Sequence, residues 1–211
     1  AKLNEINGEY ATLGDRKVAF SQVNLITHDA DGEIWSGDLV LSEKDGFLFS
    51  QELVFPKIRL WDYGTPELYH VLLTVENGGL IPYDIGFRRF EMADKIMTLN
   101  GKRLIINGVN RHEWHCRKGR AIDVADMEAA METIVANNIN AVRTCHYPNA
   151  TQWYHMCDQK GIYLMDETNL EAHGSWQKDA LPNSIEPSWN VPGSLPEWHD
   201  LLLDRANNMF Q

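Results

Sequence analysis

Up to about residue 90, apolar and polar positions alternate in short runs broken by turn formers, the two-residue period of strands half-buried against a core. The runs are KVAFSQVNLITHD, EIWSGDLVL, FLFSQELVF, YHVLLTVEN and LIPYDIGFRRF, separated by ADG, SEKDG and GG. They predict about five or six strands in an antiparallel β-sandwich. An immunoglobulin-like sandwich has about seven, so this one is expected to lack its first strand. LWDYGTPELY holds too many turn formers for a central strand and is expected to cross between sheets. In KIMTLNGKRLII, Asn100-Gly101 separates two alternating runs, the signature of a type I′ hairpin, placed where two domains join.

Beyond that hairpin the period changes. LIINGVNRHE reads as a strand, and DVADMEAAMETIVANN as a helix with Asp123 at its N-cap and Met127, Met131 and Ile134 on one face. NINAVRTCHYP is the next strand, closed by Pro148. Asn149 is expected to cap a second helix running to Lys160, with Trp153, Met156 and Cys157 inward and Gly161 as its stop. GIYLMDETN is the third strand. This βαβαβ order predicts parallel strands joined by right-handed crossovers. Residues 174–197, with Pro182, Pro187, Pro192 and Pro196, read as a long loop before a helix in PEWHDLLLDRANNMFQ. The predicted class is multidomain β plus α/β, with domains at 1–90 and 91–211.

Charge narrows the partners. With 19 Lys and Arg against 30 Asp and Glu the net charge is -11, which repels a polyanion, so nucleic acid is not expected as a ligand. No run approaches the roughly 20 apolar residues of a membrane span, and AKLNEINGEY lacks the apolar core of a signal peptide. The chain therefore reads as soluble and cytoplasmic. Cys116, Cys145 and Cys157 are odd in number and lack CxxC spacing, and are expected to be reduced.

All three parallel strands end in polar groups: Asn110-Arg111-His112-Glu113, Arg143-Thr144-Cys145-His146 and Asp166-Glu167-Thr168-Asn169. Ligands bind at the carboxyl ends of such strands, so three polar ends aimed at one place suggest a site. Glu171 and His173 lie two apart, share one face of an extended segment, and could bind one divalent cation. His112-Glu113-Trp114-His115 misses the zinc-protease spacing because its second histidine falls at i+3. Asp166 and Glu167 face opposite ways as strand neighbours and cannot both address one scissile bond.

GVNRHEWH (108–115), NAVRTCHYPN (140–149) and DETNLEAHG (166–174), in this order and spacing, resemble the β-galactosidases of the large bacterial type, a family of retaining glycoside hydrolases. W-x-x-x-x-P-x-L-Y (61–69) and GFRRFE (86–91) resemble the same family. The resemblance implies an immunoglobulin-like sandwich followed by the first three βα units of an incomplete TIM (β/α)8 barrel. It implies that His112, Arg143 and His146 bind the galactosyl group, and that Glu171 and His173 are ligands of a magnesium cofactor. Related β-glucuronidases share the R-T-x-H-Y-P and D-E features without the E-x-H, which favours galactosidase.

In that family both catalytic glutamates, acid/base and nucleophile, come from later barrel strands, and no N-E-S or W-x-x-G-N-E string follows Glu171. No catalytic residue is therefore assigned within these 211 residues, and alone they are expected to be inactive. The implied partners are a galactoside and either a second copy or the rest of the enzyme, through the open strand edge. The competing readings are a non-catalytic sugar- or partner-binding fragment, a β-glucuronidase, and a metal hydrolase built on Glu171, His173 and HEWH, for which no general base can be placed.

Overall fold

The computed structural model describes residues 5–6, 10–13, 16–19, 23–29, 32–44, 47–55, 58–75, 79–171 and 196–210. The chain forms two compact units, Ala1–Leu104 and Ile105–Gln211. No helix among the described residues is long and apolar enough to cross a membrane.

Among its described residues the first unit is antiparallel. β1 (Glu5–Ile6), β2 (Tyr10–Leu13) and β3 (Arg16–Ala19) form one sheet. β4 (Val23–Asp29) and β5 (Gly32–Asp38) form a hairpin bulged at Thr27/His28, and β6 (Leu41–Lys44) and β7 (Phe47–Ser50) form another. β8 (Tyr69–Val75) and β9 (Gly79–Ile85) complete a four-stranded sheet ordered β5-β4-β8-β9. Two expected strands prove to be divided. KVAFSQVNLITHD splits into β3 and β4, and EIWSGDLVL breaks after Asp38, where Leu39 turns into the core against Val71. Gln51 makes that break tolerable: its Oε1 accepts the Val40 N–H at 2.8 Å, and its own N–H donates to Val40 O at 3.1 Å.

Two of the quoted motifs meet in this unit. A Cβ on Gly86 would lie 2.8 Å from the Trp61 side chain, so only glycine lets the GFRRFE segment pass. The Trp61 N–H donates to Phe87 O, and the Phe87 ring packs edge-on against buried Tyr69 at 5.2 Å. The Tyr69 hydroxyl in turn accepts the Arg59 N–H at 2.8 Å.

β10 (Phe90–Ala93), β11 (Ile96–Leu99) and β12 (Lys102–Arg103) form a meander. Asn100 and Gly101 connect Leu99 to Lys102 with φ of 52° and 77°, the expected type I′ geometry. Asp94 and Lys95 make a second left-handed turn, which no glycine announces. The Asn100 side chain accepts from the Arg89 N–H and donates to Trp61 O. That anchorage holds the hairpin to the first unit, which runs to Leu104.

In the second unit β13 (Gly108–Arg111), β14 (Ala141–Thr144) and β15 (Tyr163–Met165) pair in parallel, in that order. α1 (Val124–Ala136) and α2 (Thr151–Lys160) are the crossovers, and α3 (His199–Phe210) follows a 3-10 turn at Pro196–Trp198. Asp123 caps α1 in a capping box with Asp126, and Met127, Met131 and Ile134 are its buried face. These join Val142, Trp153, Cys157 and Ile162 in the main core, against which Met156 packs partly buried. The cap of α2 departs from expectation. Ala150 holds the N-cap position without a side-chain bond, because the Asn149 amide oxygen is taken by Arg111 Nη1 at 2.7 Å. Gly161 stops the helix at φ 71° as expected.

Two asparagines fix the strand register at the amino ends. Asn140 accepts the Asn107 N–H through Oδ1 and donates through Nδ2 to Ile105 O, while its backbone oxygen takes the Tyr163 N–H. Truncating Met131 to Ala, at 2 % exposure, should destabilise this unit by about 2–5 kcal/mol. A lowered urea midpoint with unchanged slope would report it.

Candidate active site

Parallel register brings Asn110, Arg143 and Met165 side by side on one rung. Their side chains share a face, and a period of two puts Glu167 on it as well. Arg143 is the hub. Its Nη1 donates to Asn110 Oδ1 at 3.1 Å, and its Nη2 lies 2.5 Å from Glu167 Oε2 as an ion pair outside hydrogen-bond geometry. Glu167 Oε1 sits 2.8 Å from His146 Nδ1, and because a carboxylate only accepts, that nitrogen carries the proton. Glu171 Oε2 lies 3.6 Å from the same nitrogen. The His112 ring meets the His146 ring edge to face at 5.4 Å, and the Tyr147 ring lies 6.1 Å from it.

The opposite face of the same strand ends is a closed polar layer. Thr144, fully buried, donates from Oγ1 to Asp166 Oδ1 at 2.8 Å and accepts the Glu167 N–H at 2.9 Å. The Tyr154 hydroxyl on α2 donates to the same Asp166 oxygen at 2.9 Å and accepts the Asn149 N–H. Burial, reinforced by the bond to Asp166 against the opposing Asn149 N–H, pushes the Tyr154 phenol up to about 12 and keeps it a donor. A cavity of about 390 Å³ lined by Asn149, Tyr154, Asp166, Asn169 and Arg205 opens on this rear side, away from Arg143.

A buttress holds the loop carrying His146. Arg111 stacks on Trp153 at 3.6 Å and lies 3.9 Å from Glu113, whose carboxylate accepts the Ala150 N–H at 2.9 Å. The Glu113 N–H reaches the Tyr147 hydroxyl. The two histidines of HEWH part company here. His115 Nδ1 accepts the Arg117 and Lys118 N–H groups and so orders its own loop, whereas His112 joins the site.

His112, Arg143, His146 and Glu171 thus converge, as does Glu167, which the sequence reading set aside. Its signal was available: alternation from Met165 places it on the Arg143 face. His173 lies outside the described residues. His146, Glu167 and Glu171 bring one ligand atom each within 4.8 Å of one another, and so do His112, Cys145 and His146. Such an arrangement can grip hydroxyls, orient a carboxylate and bind a cation.

Comparison with known proteins follows the same strand ends. Residues 90–211, more than half of the chain, match the family model described as "Glycosyl hydrolases family 2, TIM barrel domain". Among curated relatives, a "Beta-galactosidase large subunit" of Lactobacillus acidophilus is 51% identical over 90% of this chain and 30% of its own length. A "Beta-galactosidase" of Streptococcus thermophilus is 45% identical over 100% of this chain and 20% of its own. The chain therefore spans between about a fifth and a third of these relatives. Among solved structures, a Faecalibacterium prausnitzii β-glucuronidase superposes with a TM-score of 0.61 at 30% identity, over 75% of this chain and 25% of the other.

Replacing Thr144 by Val strips Asp166 and the Glu167 N–H of a shared partner and should destabilise by about 1–3 kcal/mol, read as a lowered denaturation midpoint. Thiol labelling of the native chain should modify exposed Cys116 alone. Burial raises the Cys145 thiol and pushes Cys157 up to about 12, so both stay protonated and slow until denaturant is added, as peptide mass analysis can check.

Proposed function

The chain belongs to glycosyl hydrolase family 2, and we propose that it forms part of the sugar pocket of a retaining β-galactosidase acting on terminal β-galactosides such as lactose. The observation that carries this reading is the convergence of Arg143, His146 and Glu167 at the ends of two adjacent parallel strands, β14 and β15, in a chain whose relatives at 51% and 45% identity are named β-galactosidase. In the same proposal the first unit is the immunoglobulin-like domain, and β13 to β15 are the opening strands of the barrel.

Retaining hydrolysis needs two carboxyl groups about 5–5.5 Å apart, one as nucleophile and one as acid/base. We assign that pair to barrel strands other than these three. His112 and His146 hydrogen-bond galactosyl hydroxyls from the floor of the pocket. The His146 Nδ1–H is held by Glu167, so its Nε2 is the nitrogen turned to the sugar. Arg143, paired with Glu167 and fixed by Asn110, holds that carboxylate in place.

The residues fit a magnesium ion. The carboxylates of Glu167 and Glu171 converge beside His146, and oxygen donors of this kind suit a hard divalent cation. Glu171 and His173 are its proposed ligands. Bound there, magnesium would supply positive charge that orders the neighbouring carboxylates.

β-Glucuronidase is the second reading, favoured by the structural neighbours. The higher identity of the named galactosidases argues against it. Steady-state kinetics of the full-length polypeptide decide: the aryl β-galactoside should exceed the β-glucuronide in kcat/KM by at least about a hundredfold. The reverse preference would overturn the galactosidase assignment. His146→Phe should lower kcat/KM on the galactoside by roughly a hundredfold or more. Glu171→Gln should raise the magnesium needed for half-maximal rate by about tenfold or more, with the unfolding midpoint unchanged.

A further inference from the structure

The DETNLEAH carboxylates suit hard cations, but a second group of ligands adjoins them with different chemistry. His112 and Cys145 are the first residues after β13 and β14. The Cys145 N–H donates to Arg111 O at 2.9 Å, which extends the parallel ladder by one bond and sets the two residues beside each other. Their ligand atoms and one from His146 lie within 4.8 Å of one another.

We infer that Cys145, His112 and His146 form a binding site for a thiophilic divalent cation of the zinc class. One sulfur and two imidazoles make up a borderline-soft donor set, which selects zinc over magnesium. Three protein ligands leave a fourth tetrahedral position to water.

An independent feature points the same way. His146 Nδ1 is committed to Glu167 Oε1 at 2.8 Å. A ligating histidine typically gives its second ring nitrogen to a carboxylate in this manner, which fixes the tautomer and makes the ligand more basic. The nitrogen left for a metal is Nε2. Ring planes of His112 and His146 at 77° allow both imidazoles to address one tetrahedral ion.

On binding, the Cys145 S–H bond breaks, the sulfur–metal bond forms and the proton leaves to solvent. The protein's own oxidation state does not change. Two of the three ligands are histidines proposed above to hold the sugar, so an ion there competes with galactoside. That consequence rests on the galactosidase reading, whereas the metal site does not.

Cobalt serves as the spectroscopic stand-in for zinc in the full-length polypeptide. Wild type and the control Cys116→Ser should both show a thiolate-to-cobalt charge-transfer band that added zinc abolishes, and Cys145→Ser should lack it. Competition with a chromophoric chelator should show zinc affinity falling at least about tenfold in Cys145→Ser and in His112→Ala. His112 is exposed, so its variant keeps the test valid if Cys145→Ser misfolds. No band in wild type at saturating cobalt, or unchanged zinc affinity in His112→Ala, would overturn the site. Zinc should also inhibit galactoside turnover in wild type, reversed by chelator. Cys145-dependent zinc binding without inhibition would leave the metal site standing and remove the histidines from the sugar pocket.

Discussion

The second unit depends on one carboxylate oxygen. Asp166 Oδ1 receives the Thr144 hydroxyl, the Tyr154 hydroxyl and the Glu167 N–H, all between 2.8 and 3.1 Å. It thereby ties the ends of β14 and β15 to α2 where the regular ladder has run out. Because neighbouring residues in an extended chain face opposite ways, fixing Asp166 at the rear also aims Glu167 forward. The arginine and histidine that Glu167 engages are then held by a carboxylate whose own N–H is tied to Thr144 and Asp166.

Much of this architecture was legible because local signals and burial agree. α1 has a cap, a capping box and an apolar stripe all placing its start at one residue, so Asp123, Met127, Met131 and Ile134 could be read directly. The Asn-Gly hairpin was equally plain. Asn149 misled because its capping tendency is a local preference, and a tertiary bond to Arg111, far away in sequence, claims its side chain first. The break at Leu39 was hidden for a similar reason: Gln51, just past the end of β7, satisfies the backbone there. The turn at Asp94 and Lys95 carries no glycine, so composition gave no warning.

At the site, strand-end polarity and the family motifs pointed to His112, Arg143, His146 and Glu171, which the strand ends bring together. What they lacked was register, which emerges only when Asn107 and Asn140 pin the amino ends of the strands together. Once Asn110, Arg143 and Met165 share a rung, the place of Glu167 follows by counting two. Cys145 was expected to be reduced and is a free, buried thiol, yet its neighbours give it donor chemistry that its position in RTCHYP does not announce.

The central claim is that these strand ends form the floor of a galactosyl pocket. A crystal structure of the full-length polypeptide with a non-hydrolysable thiogalactoside tests it most directly. The account predicts galactosyl hydroxyls within about 3 Å of the side chains of His112 and His146, with Arg143 still paired to Glu167. A galactoside bound elsewhere, with neither histidine in reach of it, would contradict the account.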